Sequence, residues 1–246
     1  MNLFYATDID GSTIILPPDE SHHCLRVLRM RRGDEAVVTD GKGNMYYCTL
    51  TGSKGKEAYL LVNRIKHIPL RSYYLHLAMG CLKNHDRMEW LIEKATEVGV
   101  DEITFLNTHY TERKQVNFER LQKIAIAAMK QSQQAYLPII HPQVVTFTHF
   151  VEQPTHPTHK YIAHCYPNVS ERVLLAKHCP SGQKVLCMIG PEGDFSEEEV
   201  KMAMEKDFTP VSLGSSRLRS ETAALAVCFT IAIANETPMF LRTQTQ

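Results

Sequence analysis

Two short apolar runs near the end of this chain, Val185 to Ile189 and Val211 to Leu213, each stop at a glycine loop, and each loop opens onto a helix. Runs without polar alternation read as strands buried on both faces, the condition of a parallel sheet covered by helices. The loops are Gly190-Pro191-Glu192-Gly193-Asp194 and Gly214-Ser215-Ser216-Arg217-Leu218-Arg219. In open parallel sheets, ligands settle beyond the carboxyl ends of the strands, where successive loops converge. Two loops of this design predict one pocket.

The segment leading up to these loops repeats the same plan. Tyr73 to Leu82 reads as a strand, followed by a helix from Asn84 or His85 whose inward face is Met88, Leu91, Ile92, Ala95 and Val98. Gly99 stands where a left-handed C-cap belongs. Glu102 to Leu106 is the next strand, completing a βαβ unit. Asn117 caps a second helix with Leu121, Ile124, Ala125, Ala128 and Met129 inward, ending before Pro138. Glu152 to His159 reads as a loop, Tyr161 to Cys165 as a strand and Ser170 to Lys177 as a helix. Alternation of this kind specifies an α/β fold with a mostly parallel sheet.

The first seventy residues follow different rules. Asp19-Glu20-Ser21 precedes a short helix, His22 to Arg29; Ala36 to Thr39 is a strand, and Asp40 to Asn44 is a hairpin turn in which glycine supplies positive φ. Met45 to Leu50 returns, Gly52 to Gly55 turns again, and Ala58 to Ile65 is another strand. Short strands at this spacing predict a small barrel or sandwich. His67 to Arg71, with Pro69, reads as a linker, which divides the chain into domains at 1–70 and 71–246.

Composition narrows the function. The 246 residues are 43% hydrophobic and 22% charged, with no apolar run long enough to span a bilayer and no signal-peptide pattern at the N-terminus. The seven cysteines include no Cys-x-x-Cys pair, so neither a disulfide framework nor a structural zinc site is expected, and a cytoplasmic address follows. His156-x-x-His159, Cys165 and the other histidines offer no ligand spacing, so no metal is expected. Zero net charge argues against indiscriminate coating of nucleic acid. Arg26, Arg29, Arg31 and Arg32, clustered with His22 and His23, read either as a solvated helix face or as a local phosphate footprint.

The loops themselves limit the ligand. Gly190 to Gly193 lacks both the ending of a P-loop and the spacing of a dinucleotide fingerprint. Glu192, Asp194 and Glu197 to Glu199 crowd the next helix start, and Ser196 with Glu199 fits a capping box. A phosphate would meet like charges there; S-adenosylmethionine, with a sulfonium, a ribose diol and no phosphate, is better matched. Acidic first turns also arise for capping alone. In the second loop, Arg217 and Arg219 stand before Ser220, Glu221 and Thr222. They read either as partners of Glu221 or the acidic loop, or as a positive site for an anion. Ala223 to Ala234 is apolar nearly all round, so this helix is expected to be buried, against the sheet or a second subunit.

These residues resemble the SPOUT class of methyltransferases and, within it, the RsmE family, which methylates N3 of a uridine in 16S (small-subunit) ribosomal RNA. The resemblance covers nearly the whole chain. It is carried by His22 to Arg29 with Gly33-Asp34, by Lys83 to Arg87 with Glu93 to Val100, by Gln131-Ser132, by Gly190 to Gly193 and by Leu218 to Ala223. It implies an N-terminal PUA-like β-barrel, a C-terminal α/β domain with a trefoil knot, a homodimer, and S-adenosylmethionine held by His164, Cys165, Ile189, Gly190, Glu192, Gly193, Leu213, Gly214, Leu218, Arg219 and Thr222. His23, Arg26, Arg29, Arg31, Arg32, Lys83, Arg87 and Arg217 are the implied RNA contacts, within ribosomal RNA of the small subunit. Two departures stand out: Asp194 occupies a position that is usually glycine, and Lys130, Gln133 and Gln134 flank Gln131-Ser132 where Glu and Arg are usual.

Methylating uridine N3 requires an unpaired base and loss of the imide proton, and splaying the base into a pocket is the usual solution. Arg219 is expected to stabilise the developing negative charge on oxygen; Glu221 and His164 are the candidates for the base. Two rival readings are methylation of another RNA or acceptor atom, and a catalytically silent RNA-binding protein.

Overall fold

The computed structural model describes residues 2–9, 11–154, 157–166 and 171–242, with side chains to 236 in the last helix. The chain divides into two compact units, residues 1–70 with 126–137, and 71–125 with 138–246. Among the described residues no helix is long and apolar enough to cross a membrane.

The first unit is built on β1 (Leu3–Tyr5), β2 (Thr13–Ile15), β3 (Glu35–Thr39), β4 (Asn44–Lys54) and β5 (Glu57–His67), paired in the order β1-β3-β4-β5-β2. Only β1 and β3 run parallel. The expected barrel is thus a mixed five-stranded sheet around Phe4, Ile14, Cys24, Val38, Leu50 and Leu60. The β3–β4 hairpin closes as its sequence predicts: Asp40 accepts from Lys42 N at 2.7 Å and from Asn44 Nδ2 at 2.6 Å, while Gly41 and Gly43 take positive φ.

Two expectations here are corrected. The helix predicted over His22 to Arg29 starts earlier, as α1 (Pro18–His22), and continues as a wider π turn over His23–Val27. Proline at the first turn sets that start, since its missing N–H belongs to the unbonded donors anyway. The turn predicted over Gly52 to Gly55 falls at Gly55 and Lys56, and Gly52 lies inside β4 at a register shift. A glycine within a strand marks a bulge as readily as a turn.

The second unit carries β6 (Tyr74–Gly80), α2 (His85–Val98) and β7 (Glu102–Asn107) in that order, as expected, then α3 (Phe118–Gln131), which the two units share. Asn84 caps α2 through Asp86 N and Arg87 N, and Gly99 ends it at φ 99°. Asn117 Oδ1 accepts from Arg120 N at the start of α3. There follow β8 (Ile139–Thr146) and α4 (Phe147–Val151), neither of which the sequence pattern had indicated, then β9 (His159–Ala163). β10 (Val173–Leu174) and α5 (Leu175–His178) replace the helix expected over Ser170 to Lys177; Ser170 lies outside the described residues, as does His156. β11 (Lys184–Ile189), α6 (Glu197–Glu205), β12 (Thr209–Ser212) and α7 (Ser220–Arg242) complete the unit.

Its seven strands are all parallel, in the order β10-β12-β9-β11-β6-β7-β8. Leu186, Met188, Ile162 and Ala78 from the sheet pack with Phe147, Phe150, Phe195 and Val200 in one core. α7 is not wholly buried. Ala224, Val227, Cys228 and Ile231 face the core, but Phe229 and Ile233 are 50% and 60% exposed. Four residues apart, they lie on one helix face.

Candidate active site

Three loops leave the carboxyl ends of β9, β11 and β12 and enclose a cavity of about 380 Å³, within the range of small-molecule sites. The first loop contributes His164 and Cys165; the second Gly190, Pro191, Glu192 and Asp194; the third Leu213, Gly214, Ser216, Arg217, Leu218 and Arg219. Ala163, Ile189, Val211 and Ala223 supply apolar wall, and Glu221 closes one side with Arg87 from α2.

The loop shapes follow from particular atoms. Asp194 takes φ 68°, a conformation that favours glycine, and its carboxylate compensates: Oδ2 accepts from Cys165 N at 2.8 Å and Oδ1 from Phe195 N at 2.8 Å. The turn therefore tolerates its side chain by using it to fasten the β11 loop to the β9 loop. Glu192 accepts from Lys83 N at 3.1 Å, fastening the same loop to the chain after β6. The expected capping box is present, with Ser196 Oγ accepting from Glu199 N and Glu199 Oε2 from Ser196 N. The other Glu199 oxygen accepts from His109 N at 2.8 Å. These acidic groups are taken up by backbone N–H donors.

His164 is buried at the end of β9, its Nδ1 accepting from Tyr166 N at 3.2 Å and its carbonyl accepting from Arg172 at 2.6 Å. Burial holds its imidazole below the ordinary histidine value, opposed by Asp194 and assisted by Arg172. An accepting Nδ1 fits the neutral ring. Burial, with Asp194 beside it, pushes the Cys165 thiol up, so it is a weak nucleophile.

Electrostatics separate the arginines. Arg87 Nε lies 3.6 Å from Glu221 Oε1, and Arg172 is held by the His164 carbonyl. Arg217 and Arg219 are exposed on the wall and enter no salt bridge among the described residues. The alternative in which they pair with Glu221 does not hold; Arg87 fills that role. Glu221 is buried, and its Oε2 has no hydrogen-bond partner. An orphaned carboxylate oxygen on a pocket wall asks for a donor from a ligand.

Most of the expected cofactor residues thus line one cavity, with two exceptions. Thr222 is exposed and off the wall, its side chain pointing away between Glu221 and Ala223, which both line the cavity. Gly193 is also off it: a Cβ there would stand 2.6 Å from Tyr110 Cβ, so this glycine permits a close approach to Tyr110. Pro191, Asp194, Arg172, Ser212 and Ser216 line the cavity without having been expected there. Pro191 and Asp194 were legible as members of the loop; Arg172 had no local signal.

The expected RNA contacts fall into two sets. Arg87 and Arg217 share the cavity wall, whereas Lys83 pairs with Glu112 at 2.6 Å. In the first unit His23, Arg26, Arg29, Arg31 and Arg32 are all exposed, and none of the four arginines enters a salt bridge among the described residues. The departures around Gln131 have structural uses: Lys130 pairs with Glu20, Gln133 takes φ 55° and Gln134 donates to Ser132 Oγ as α3 ends.

A loop-built cavity in one unit and a small β sheet in the other agree with known proteins. The family profile of the RNA methyltransferase domain matches residues 70–232, and that of the RNA methyltransferase PUA domain matches residues 16–63. These matches define the class, an RNA methyltransferase with a PUA-like N-terminal domain. Ribosomal RNA small subunit methyltransferase E of Synechocystis is 32% identical, over 86% of this chain and 70% of its own. Among solved structures, a probable rRNA-methyltransferase from Porphyromonas gingivalis superposes with a TM-score of 0.88 at 39% identity, covering 97% of this chain and all of that one. A ribosomal RNA small subunit methyltransferase E from Neisseria gonorrhoeae, bound to S-adenosyl methionine, gives 0.82 at 27% identity, covering 97% and 98%. The chain belongs to the family of ribosomal RNA small subunit methyltransferase E, RsmE.

Proposed function

We propose that this protein methylates N3 of a uridine in 16S ribosomal RNA, using S-adenosylmethionine held in the three-loop cavity. The observation that carries the reading is the lining: apolar side chains and loop backbone inside, two uncommitted arginines at the edge and one buried carboxylate oxygen awaiting a donor. The solved relative from Neisseria gonorrhoeae binds the same cofactor. The lining fits it, since Glu192 and Asp194 of the β11 loop are already taken up by backbone N–H donors and the apolar side chains of Ile189 and Leu218 suit an adenine. His164, Cys165, Ile189, Gly190, Glu192, Leu213, Gly214, Leu218 and Arg219 would hold the cofactor. Gly193 acts behind them through Tyr110. Bound there, S-adenosylmethionine supplies an electrophilic methyl group.

The rest is work for the chain's own groups. The Glu221 carboxylate takes the N3 proton, and Arg219 stabilises the negative charge that then spreads onto the uracil oxygens. Arg87 keeps Glu221 in place. Arg217 and Lys83 contact the RNA around the splayed base, and His23, Arg26, Arg29, Arg31 and Arg32 hold phosphates on the N-terminal domain, 1–70, while 71–246 carries the chemistry.

The reading also includes a trefoil knot and a homodimer working on the small subunit in the cytoplasm. The strand order supports the knot: after β9 is laid down, β11 enters between β9 and β6, and β12 then enters between β9 and β10. Simple right-handed crossovers do not require such returns. The apolar face of α7 at Phe229 and Ile233 supports the dimer.

The test is methyl transfer to small-subunit ribosomal RNA, with the product base mapped, by wild type and Arg219→Ala at saturating cofactor. N3-methyluridine from wild type, and a drop of about 100-fold or more in the variant, is expected. Methylation at another atom, or near-normal turnover by Arg219→Ala, overturns the assignment.

A further inference from the structure

At the amino-terminal edge of the parallel sheet, the end away from the three loops, β6, β7 and β8 place His76, Glu102 and His141 together. One ligand atom from each lies within 4.8 Å of the others. His76 Nδ1 is 3.7 Å and His141 Nε2 2.6 Å from the same atom, Glu102 Oε1. Strand register accounts for the meeting. His76 pairs with Glu102 and Glu102 with Ile139, and the register shift that follows on β8, between the Ile103–Ile140 and Phe105–Val144 pairs, holds His141 in the irregular stretch from which it reaches Glu102.

Three polar side chains on neighbouring strands can be no more than a hydrogen-bonded trio. What distinguishes these is the set of groups behind them. Thr104 Oγ1 lies 2.8 Å from His76 Nε2, engaging that nitrogen and leaving Nδ1 toward Glu102. Tyr74 donates to Glu102 Oε2 at 2.8 Å, leaving Oε1 as the oxygen that both histidines face. Outer partners that hold a histidine ring and orient a carboxylate are what metal ligands carry.

The geometry points to a binding site for a divalent first-row transition metal, zinc by preference, with His76 Nδ1, Glu102 Oε1 and His141 Nε2 as ligands. Two imidazoles and one carboxylate form a known zinc set, whereas magnesium and calcium favour oxygen-only sites. Tetrahedral bonds of about 2.0–2.2 Å place ligand atoms roughly 3.3–3.6 Å apart. The observed 2.6 and 3.7 Å bracket that spacing, and the His141 side chain, 40% exposed, has room to adjust. The cluster opens on a cavity of about 500 Å³, which leaves a fourth position for water or a small anion. Lys184, on the same cavity wall, favours the anion.

The test uses the full chain, stripped with chelator and titrated with zinc against a chromophoric competitor, with cobalt as a spectroscopic probe. Wild type should take up one tightly held zinc and, with cobalt, show the visible absorption of a low-coordinate site, with no competition from magnesium. Thr104→Val keeps all three ligands and should weaken zinc by about tenfold or more, and His141→Ala by more than that. No saturable zinc uptake by wild type, or unaltered affinity in His141→Ala, overturns the site. Should His141→Ala fail to fold, Thr104→Val decides alone, and an unchanged affinity there overturns it.

Discussion

Arg87 Nε stands 3.6 Å from Glu221 Oε1, linking α2 to the first turn of α7 on the cavity wall. Glu221 is 6% exposed, so truncating Arg87 strands a carboxylate away from water. Arg87→Ala should therefore lower stability by about 1–2 kcal/mol, held to that range because the Arg87 side chain is 37% exposed and solvent screens the pair. Glu221→Gln should recover part of the loss in the double variant. Urea unfolding of the four proteins gives the coupling; a value within about 0.5 kcal/mol of zero would show the pair to be inert.

Gly193 and Tyr110 approach so closely that a methyl group has nowhere to go, with a Cβ placed 2.6 Å from Tyr110 Cβ. Gly193→Ala should cost about 1–3 kcal/mol of stability, as overpacking does. Because Cβ meets Cβ, Tyr110→Gly is the relieving partner, and the double variant should unfold at a higher urea concentration than its two separate effects predict. Simple additivity would mean that Gly193 acts some other way, as a direct cofactor contact for instance.

Strand and helix placement around the cavity was readable because apolar runs, caps and glycine loops are local signals. Asn84, Gly99, Ser196 and Glu199 do in the structure what their positions suggest. β8 escaped notice because Ile139 to Thr146 includes His141, Pro142 and Gln143, a polar centre on an edge strand. The cluster of His76, Glu102 and His141 was invisible for the same reason and one more: its members come from three strands, and only pairing register unites them. Arg87 as the partner of Glu221, more than a hundred residues away, left no mark in sequence either. The burial expected of α7, against the sheet or a second subunit, is met within the chain by Ala224, Val227, Cys228 and Ile231, while Phe229 and Ile233 stay exposed.

That exposed face leads to a prediction about assembly. Phe229 and Ile233, at 50% and 60% exposure, present apolar side chains to solvent on successive turns. A second copy of the chain covering them should make the wild type dimeric in sedimentation. Phe229→Glu would place charge in that contact and should shift the protein to monomer at micromolar concentration without loss of helix content. A wild type that sediments as a monomer, or a variant that remains a dimer, places the contact elsewhere.

His164 predicts a dependence of stability on pH. Burial is the main cause holding its folded-state pKa below the ordinary 6.5; Asp194 works against it and Arg172 with it. Between the folded and unfolded values, the unfolded chain binds a proton that the folded chain does not, so folding weakens as pH falls. The contribution is fully present above pH 6.5 and is lost as pH drops through the folded value, with a slope of at most about 1.4 kcal/mol per pH unit for one proton. His164→Gln removes the titrating group. The stability difference between wild type and variant should therefore be level from pH 7 to 8 and shrink in favour of the variant below pH 6.5. Urea unfolding at half-unit intervals from pH 5 to 8 measures it, and a difference that stays constant across that range would mean His164 titrates alike in both states.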